Sequence, residues 1–232
     1  EFPPITMRAI AFTSAAALLA LLCRVRGEAL LPKAHEIPAI AFTGLLVVFG
    51  FNVLTAIGQT LTETSKAAII AYTMPAMTAG LAILLLGESL DRRRIAALTI
   101  GTAGLAVLAS ENLAALIENP LGPAIMLAAA FAWSLGNISL KARTWRLPSL
   151  ALTVWFFVVS AILCWPLAIW LEPPILQSWP SPPVLATLFF HIAGPMVVSY
   201  ALWTVLVGRL TASVAAIATL LAPVVGVVSS II

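Results

Sequence analysis

Eight long apolar runs constrain this chain more than any other feature of its sequence. Each is about 20 residues long, the length that an α-helix needs to cross the hydrocarbon core of a bilayer. The chain is 62% hydrophobic and only 9% charged, whereas a soluble domain has about a quarter of its residues charged. These features exclude a soluble protein and predict an all-α, polytopic membrane protein. The runs cover residues 4–23, 38–58, 65–86, 95–110, 121–140, 149–171, 184–207 and 211–232.

Basic residues occur in every second loop between these runs. The intervening loops contain neither lysine nor arginine, apart from Lys66 at the mouth of a helix. Because lysine and arginine accumulate on the cytoplasmic side of a membrane, the pattern predicts that residues 1 and 232 both lie on the outer side. The net charge of +3 is explained by topology and does not indicate nucleic-acid binding. The basic loops are 24–37, 87–94, 141–148 and the turn near residue 208.

An internal repeat relates the third run to the last. The segment "TSKAAIIAYTMP" (64–75) aligns with "ASVAAIATLLAP" (212–223), and Pro75 and Pro223 end the two segments 148 residues apart (223 − 75 = 148). The charge pattern orients the two segments in opposite directions, so each repeat must contain an odd number of helices. Since the segments open the third and eighth runs, each repeat contains five. Inverted five-helix repeats are typical of secondary transporters.

Two such repeats make a ten-helix fold, in which this sequence supplies eight helices. We assign the first repeat to residues 1–119 and the second to 120–232, which predicts one helix before residue 1 and one after residue 232. Pro75 and Pro223 lie roughly 15–18 Å into their helices, near the middle of the apolar layer. They are predicted to bend two equivalent helices beside a central cavity. The alternative is that proline is simply commoner in membrane helices.

Four segments carry a resemblance to a known family: "PPITMRAIAF", "LTETSKAAIIAYTMPAMTAGLAILLLGE", "GPAIMLAAAFAWSLGNISLKAR" and "LTASVAAIATLLAPVVGVVSS". They resemble the drug/metabolite transporter superfamily, specifically its EamA-type members. The resemblance implies a ten-helix inner-membrane exporter of amino acids or similar small metabolites.

Polar and aromatic side chains inside the runs are the candidate substrate contacts, because polar groups are costly in a membrane and usually face the bundle interior. Trp133, Asn137 and Lys141 recur at intervals of four residues and therefore share one helix face. Interior packing and interfacial anchoring explain this spacing equally well, and Trp203 also fits a space-filling role. The predicted pathway residues are Asn52, Tyr72, Pro75, Trp133, Asn137, Tyr200, Trp203, Thr219 and Pro223.

Charged residues near the helix ends are the candidate gates or anchors. Lys66 either snorkels to the outer headgroups or attracts a carboxylate in an outer vestibule. Glu88 is predicted to be a salt-bridged gate or anchor beside the basic loop, and Lys141 a cytoplasmic cation. His191 is interpreted as the only titratable group inside a helix. All nine carboxylates fall at helix ends or in loops, so no proton-coupling acid is predicted at the midplane.

The sequence predicts a secondary transporter of uncharged or zwitterionic metabolites that works by alternating access in the lipid bilayer. An intramembrane enzyme is disfavoured, since HExxH, paired aspartate and nucleophile-elbow motifs are missing. A non-transporting membrane scaffold stays open, as does a homodimer. A sugar-phosphate or nucleotide-sugar carrier would need more inward-facing cations than Lys66 and Lys141. No cofactor or metal is predicted, because the two cysteines show no metal-binding spacing.

Overall fold

The computed structural model describes residues 3–110, 119–172 and 180–222, and every regular element within them is helical. Six spans in these ranges are long and apolar enough to cross a membrane. The predicted all-α, polytopic fold is confirmed. The helices are α1 (Pro4–Val25), α2 (Ala34–Leu61), α3 (Thr64–Ala71), α4 (Met74–Leu86), α5 (Arg92–Ser110), α6 (Leu121–Lys141), α7 (Ser149–Leu171), α8 (Pro182–Arg209) and α9 (Ala212–Ala218).

The predicted helix boundaries shift by only a few residues. The clearest correction concerns the arginines at 92–94, which were expected in a loop but form the first turn of α5. Asp91 accounts for this, because its Oδ1 accepts a hydrogen bond from the backbone N–H of Arg94 at 2.8 Å. Such a cap stabilises a helix start, and its negative charge offsets three cations near the positive end of the helix dipole. The last predicted run is described only to residue 222, so Pro223 lies outside the described residues.

The helices α2 and α8 show that the internal repeat extends beyond the two proline segments. Both are 28 residues long, and they begin and end 148 residues apart (182 − 34 = 209 − 61 = 148). Each also contains a π-helical stretch, Leu45–Gly50 in α2 and Ile192–Ser199 in α8. π-helical turns are rare and occur mostly at functional sites. Their presence at equivalent positions marks these two helices as the centre of the repeat.

The loops with basic side chains meet at one end of the helices, which we call the basic end. There the backbone N–H of Arg146 donates to Glu36 Oε1 at 3.0 Å. Glu88, which follows α4, meets the first residues of α9 at the same end. Since the end of α4 lies beside the start of α9, these two helices run in opposite directions. The other end, where α1 begins and α7 ends, is called the neutral end.

The main hydrophobic core lies between α1, α7 and α2. Phe12 and Phe157 are fully buried there, with ring centroids 6.0 Å apart. α2 also packs against α6, and Gly136 permits this close approach. A Cβ atom at Gly136 would lie 2.7 Å from the backbone nitrogen of Val47 in the π-helical stretch of α2. The core therefore holds the irregular part of α2 against two neighbouring helices.

Candidate substrate pathway

The bend predicted at Pro75 is a two-residue turn, residues 72–73, that interrupts the helix within one membrane span. α3 ends at Ala71 and α4 begins at Met74, so Pro75 lies in the first turn of a new helix. Proline is well tolerated there, because the N–H that it lacks would have no intrahelical partner. Thr73 Oγ1 donates to the carbonyl of Ile70 at 2.7 Å. The same carbonyl also accepts the backbone N–H of Thr73 at 3.0 Å, so Thr73 closes the end of α3 through both groups.

A second break lies at the corresponding place in α9. This helix starts 148 residues after α3 (212 − 64 = 148) and ends at Ala218. Thr219 Oγ1 donates to the carbonyl of Ala216 at 2.7 Å, so this predicted pathway residue serves the break itself. Tyr72 caps the end of α3, and its hydroxyl makes no hydrogen bond with the described residues. The break beside Pro75 also adjoins α6, because Ser134 Oγ donates to the Met74 carbonyl at 3.2 Å.

Asn52 and Tyr200 are equivalent residues of the repeat and contact each other directly. Asn52 Nδ2 donates to Tyr200 Oη at 2.7 Å and to the Val48 carbonyl at 2.8 Å. Tyr200 Oη lies 3.2 Å from the Val47 carbonyl, to which it donates. Because Asn52 and Tyr200 occupy the same position in α2 and α8, these two helices meet through equivalent residues. Asn52 Oδ1 receives no hydrogen bond from the described part of the chain and is left as an acceptor.

The predicted face of α6 packs onto α8. Trp203 Nε1 donates to Asn137 Oδ1 at 2.7 Å, and the ring centroids of Trp133 and Trp203 are 5.0 Å apart. Asn137 Nδ2 also donates to the Trp133 carbonyl at 2.8 Å. One turn farther along, Lys141 Nζ lies 3.5 Å from the Gly208 carbonyl. The three residues predicted to share a face therefore all meet the same helix.

A cavity of about 380 Å³ opens at the basic end beside this face. Its lining includes Thr204, which follows Trp203 and accepts a hydrogen bond from Thr153 Oγ1 at 2.9 Å. Lys141 and Arg143 line it with two cations. The cavity is a positively charged vestibule next to the Asn137–Trp203 contact. It could admit a small anionic or zwitterionic solute.

Glu88 anchors the basic end in a way the sequence did not predict. Its partner is the start of α9 and not a neighbouring arginine. Oε1 accepts from the N–H of Ala212 at 2.7 Å, while Oε2 accepts from the N–H and Oγ of Ser213 at 3.1 and 2.6 Å. Burial alone would raise the pKa of Glu88, but these hydrogen bonds and the Arg94 charge outweigh it and hold the pKa below its ordinary value.

Lys66 pairs with Glu63 at the neutral end, with Nζ and Oε1 3.0 Å apart. The Lys66 side chain is only 13% exposed, whereas that of Glu63 is 69% exposed. This single contact leaves both predicted roles of Lys66 open. Cys23 and Cys164 are buried free thiols, and no group of residues in the described ranges could hold a metal ion.

Arg8 is the residue that the sequence interpretation missed. It lies inside α1, and its Nη1 is 2.8 Å from Nε2 of His191. The expectation that His191 would be the only titratable group inside a helix is therefore wrong. The available signal was an arginine within an apolar run, "PPITMRAIAF", away from every basic loop. Together with the Asn52–Tyr200 and Asn137–Trp203 contacts, this pair completes a series of polar contacts along α8.

Comparison with known proteins now decides the family. The model of the EamA-like transporter family matches residues 1–110 and 120–232, which is nearly the whole chain. The chain belongs to the EamA-like transporter family. It is a multi-pass membrane transporter, and small molecules are the substrates of such proteins.

Its relatives include transporters from two bacteria. YvbV, an uncharacterized transporter of Bacillus subtilis strain 168, is 24% identical over 86% of this chain and 67% of its own length. A probable amino-acid metabolite efflux pump of Escherichia coli K12 is 27% identical over 84% of this chain and 78% of the pump. A solved crystal structure matches with a TM-score of 0.79 and 21% identity, covering 96% of this chain and 76% of that one. At that identity the likeness shows the fold alone.

Proposed function

We propose that the protein exports amino acids or similar zwitterionic or uncharged metabolites across the inner (plasma) membrane by alternating access. The observation that carries the proposal is the hydrogen bond between Asn52 and Tyr200. Repeat-related helices that meet through equivalent residues form the centre of an inverted-repeat transporter, where the substrate site is expected. The name of the Escherichia coli relative supports an amino-acid metabolite as substrate.

The basic end faces the cytoplasm in this proposal, because lysines and arginines collect there. The vestibule with Lys141 and Arg143 is then the cytoplasmic entrance, and the Asn137–Trp203 contact lies between it and the central Asn52–Tyr200 pair. The two repeats, 1–119 and 120–232, rock against each other around this pair. Both helix breaks, beside Pro75 and at Thr219, provide the bending points.

An export assay tests this function. An exporter-deficient bacterium that expresses the protein should survive toxic amino-acid analogues, and we expect Tyr200→Phe to reduce export about tenfold. The substitution removes the hydrogen bonds of the Tyr200 hydroxyl to Asn52 Nδ2 and to the Val47 carbonyl, a loss of roughly 1–3 kcal/mol. Phe189→Tyr, at an exposed position of the same helix, is the control and should export normally.

Two results would contradict the proposal. One is a wild-type strain that gains no protection from any analogue although the protein is inserted. The other is a reversed orientation, measured by labelling single cysteines with a membrane-impermeant thiol reagent. A cysteine in 174–182 should react from outside the cell, whereas one in 89–93 should not.

A further inference from the structure

Arg8 and His191 stand out because their contact leaves a positive charge unbalanced within the membrane. Arg8 is the fifth residue of α1, so it lies about 6 Å along the helix from the neutral end. Arginine stays protonated and can only donate hydrogen bonds. Nη1 must therefore donate to His191 Nε2, across 2.8 Å. This requires His191 to carry its proton on Nδ1 and leaves it a neutral partner for the cation.

No carboxylate balances the Arg8 charge within the described residues. The three ion pairs found there join other side chains. Glu172, at the same end of α1, accepts hydrogen bonds from the N–H groups of Ile5 and Thr6 and forms none of these ion pairs. In addition, Arg8 Nε is buried and has no acceptor among the described residues. A charged donor left without a counter-ion at this depth is costly and usually marks a functional site.

The unused part of the guanidinium has the geometry for an oxyanion. Nε–H and Nη2–H point the same way along one edge, and a carboxylate can accept both hydrogen bonds at once. His191 holds Nη1 on the opposite side and so fixes the orientation of that edge. A snorkelling arginine would instead extend its guanidinium into the hydrated headgroups, which does not agree with a buried Nε.

The position of this edge connects it to the proposed pathway. α1 packs against the π-helical stretch of α8, which directly precedes Tyr200. His191 precedes Tyr200 by nine residues in the same span, or roughly 13 Å along the helix axis. The edge therefore lies on the neutral-end side of the Asn52–Tyr200 contact. A solute moving along α8 would meet both.

We propose that Arg8, positioned by His191, forms a subsite that binds the carboxylate of the transported molecule. This inference rests on the proposed function and narrows it to solutes that carry a carboxylate, such as amino acids. Arg8 makes the contact with the solute, and His191 is a positioning residue.

The test compares solutes that differ only in the carboxylate. The purified full chain is placed in phosphatidylcholine liposomes, and the transport rate of each solute is measured separately. L-Phenylalanine is compared with phenethylamine, and L-leucine with isoamylamine. We expect the wild type to move each amino acid at least about tenfold faster than its amine at low concentration, since a charge-assisted pair is lost. Arg8→Gln should reduce this preference to about twofold or less by slowing the amino acids alone, while Arg8→Lys should keep part of it.

Two further variants separate contact from positioning. Arg24→Gln makes the same change at an exposed site near the other end of α1 and should keep the full preference. His191→Phe should raise the KM for the amino acids more than it lowers the maximal rate, and His191→Asn, which retains an acceptor for Nη1, should restore the KM. Size-exclusion profiles in detergent show which variants are folded, and Arg8→Lys and His191→Phe keep the test valid if Arg8→Gln is not.

Each remaining outcome overturns something specific. If the wild type moves the amines as fast as the amino acids, or if Arg8→Gln slows both equally, the carboxylate subsite is wrong and the transport proposal stands. A further measurement varies the fraction of anionic lipid in the liposomes. If the preference for amino acids over amines changes with that fraction and not with the residue at position 8, the guanidinium binds headgroup phosphate and the subsite is again wrong. If the wild type moves neither pair and also fails the export assay, the proposed function itself is overturned together with the subsite.

Discussion

Glu88 and Glu172 make the same set of hydrogen bonds at opposite ends of the molecule. Glu172 follows α7 at the neutral end, and its carboxylate accepts two hydrogen bonds from Thr6, through N–H and Oγ1, and one from the N–H of Ile5, all between 2.6 and 2.7 Å. Glu88 follows α4 at the basic end and accepts the equivalent three from Ala212 and Ser213. In both cases a carboxylate satisfies the free N–H groups at a helix start and complements its dipole.

The surroundings of the two carboxylates differ. α1 and α7, which Glu172 joins, also contact each other through the buried Phe12 and Phe157 rings. A hydrogen bond from Trp165 Nε1 to Thr13 Oγ1, 3.0 Å long, links the same helices. Beside Glu88, the buried apolar contact is a small cluster of Ala82, Ile138 and Ala212. Among the described residues, Glu88 makes the only hydrogen bonds between α4 and α9.

The comparison indicates that identical local chemistry can serve two purposes. At the neutral end, the carboxylate adds to a contact that extensive packing already holds. At the basic end, the carboxylate supplies the hydrogen bonds between two helices that otherwise meet through a small apolar cluster and that each adjoin a helix break. We therefore expect the α4–α9 contact to separate more readily than the α1–α7 contact. Alternating access requires such a difference between what moves and what stays packed.

Replacing Glu172 with alanine should have the largest effect on global stability. Three short hydrogen bonds to partly buried groups disappear, which should lower the free energy of unfolding by about 1–3 kcal/mol. Thermal unfolding of the detergent-solubilised protein measures this. Arg26→Ala is the control: it removes the ion pair with Glu28, in which the Arg26 side chain is 61% exposed, and a surface pair contributes at most about 1 kcal/mol. Equal losses for the two variants would show that the Glu172 cap contributes little.

Replacing Glu88 with alanine should instead open the basic end locally. We expect the labelling rate of a cysteine at Val214, one residue beyond the cap, to rise about tenfold from the basic side. Global stability should change less than in Glu172→Ala, because little packing depends on this link. Glu172→Ala combined with the same cysteine is the matched control and should label at the wild-type rate. Faster labelling in that control would remove the proposed difference between the two ends.

Part of this organisation could be predicted from the sequence. Apolar runs define the helices, because the thickness of the bilayer sets their length. Alternating basic loops define their direction, because lysine and arginine collect on the cytoplasmic side. The shared face of Trp133, Asn137 and Lys141 follows from helix periodicity alone. The break beside Pro75 follows from the backbone chemistry of proline. In each of these cases the determining interaction is local or comes from the membrane.

The rest depends on contacts between distant segments. The bond between Asn52 and Tyr200 requires two π-helical stretches to meet, and no residue pattern indicated those stretches. Glu88 seemed to need a cation because three arginines follow it in sequence, yet backbone N–H groups are its partners. The sequence interpretation used basic residues in loops to assign the two sides of the membrane. Arg8 was missed because a basic residue inside a helix does not indicate a side.

The smallest expected effect is the pH dependence of the basic end. Hydrogen bonds hold the pKa of Glu88 below the value of a free glutamate. That ordinary value is about 4.3. A carboxyl with a depressed pKa in the folded state stabilises that state above the ordinary pKa, and this contribution is lost as the pH falls through the depressed value. The difference in thermal unfolding temperature between wild type and Glu88→Gln should therefore be constant from pH 7 to about pH 5 and disappear at lower pH. A difference that stays constant at low pH would mean that the charge of Glu88 does not hold α9, and that packing alone distinguishes the two ends.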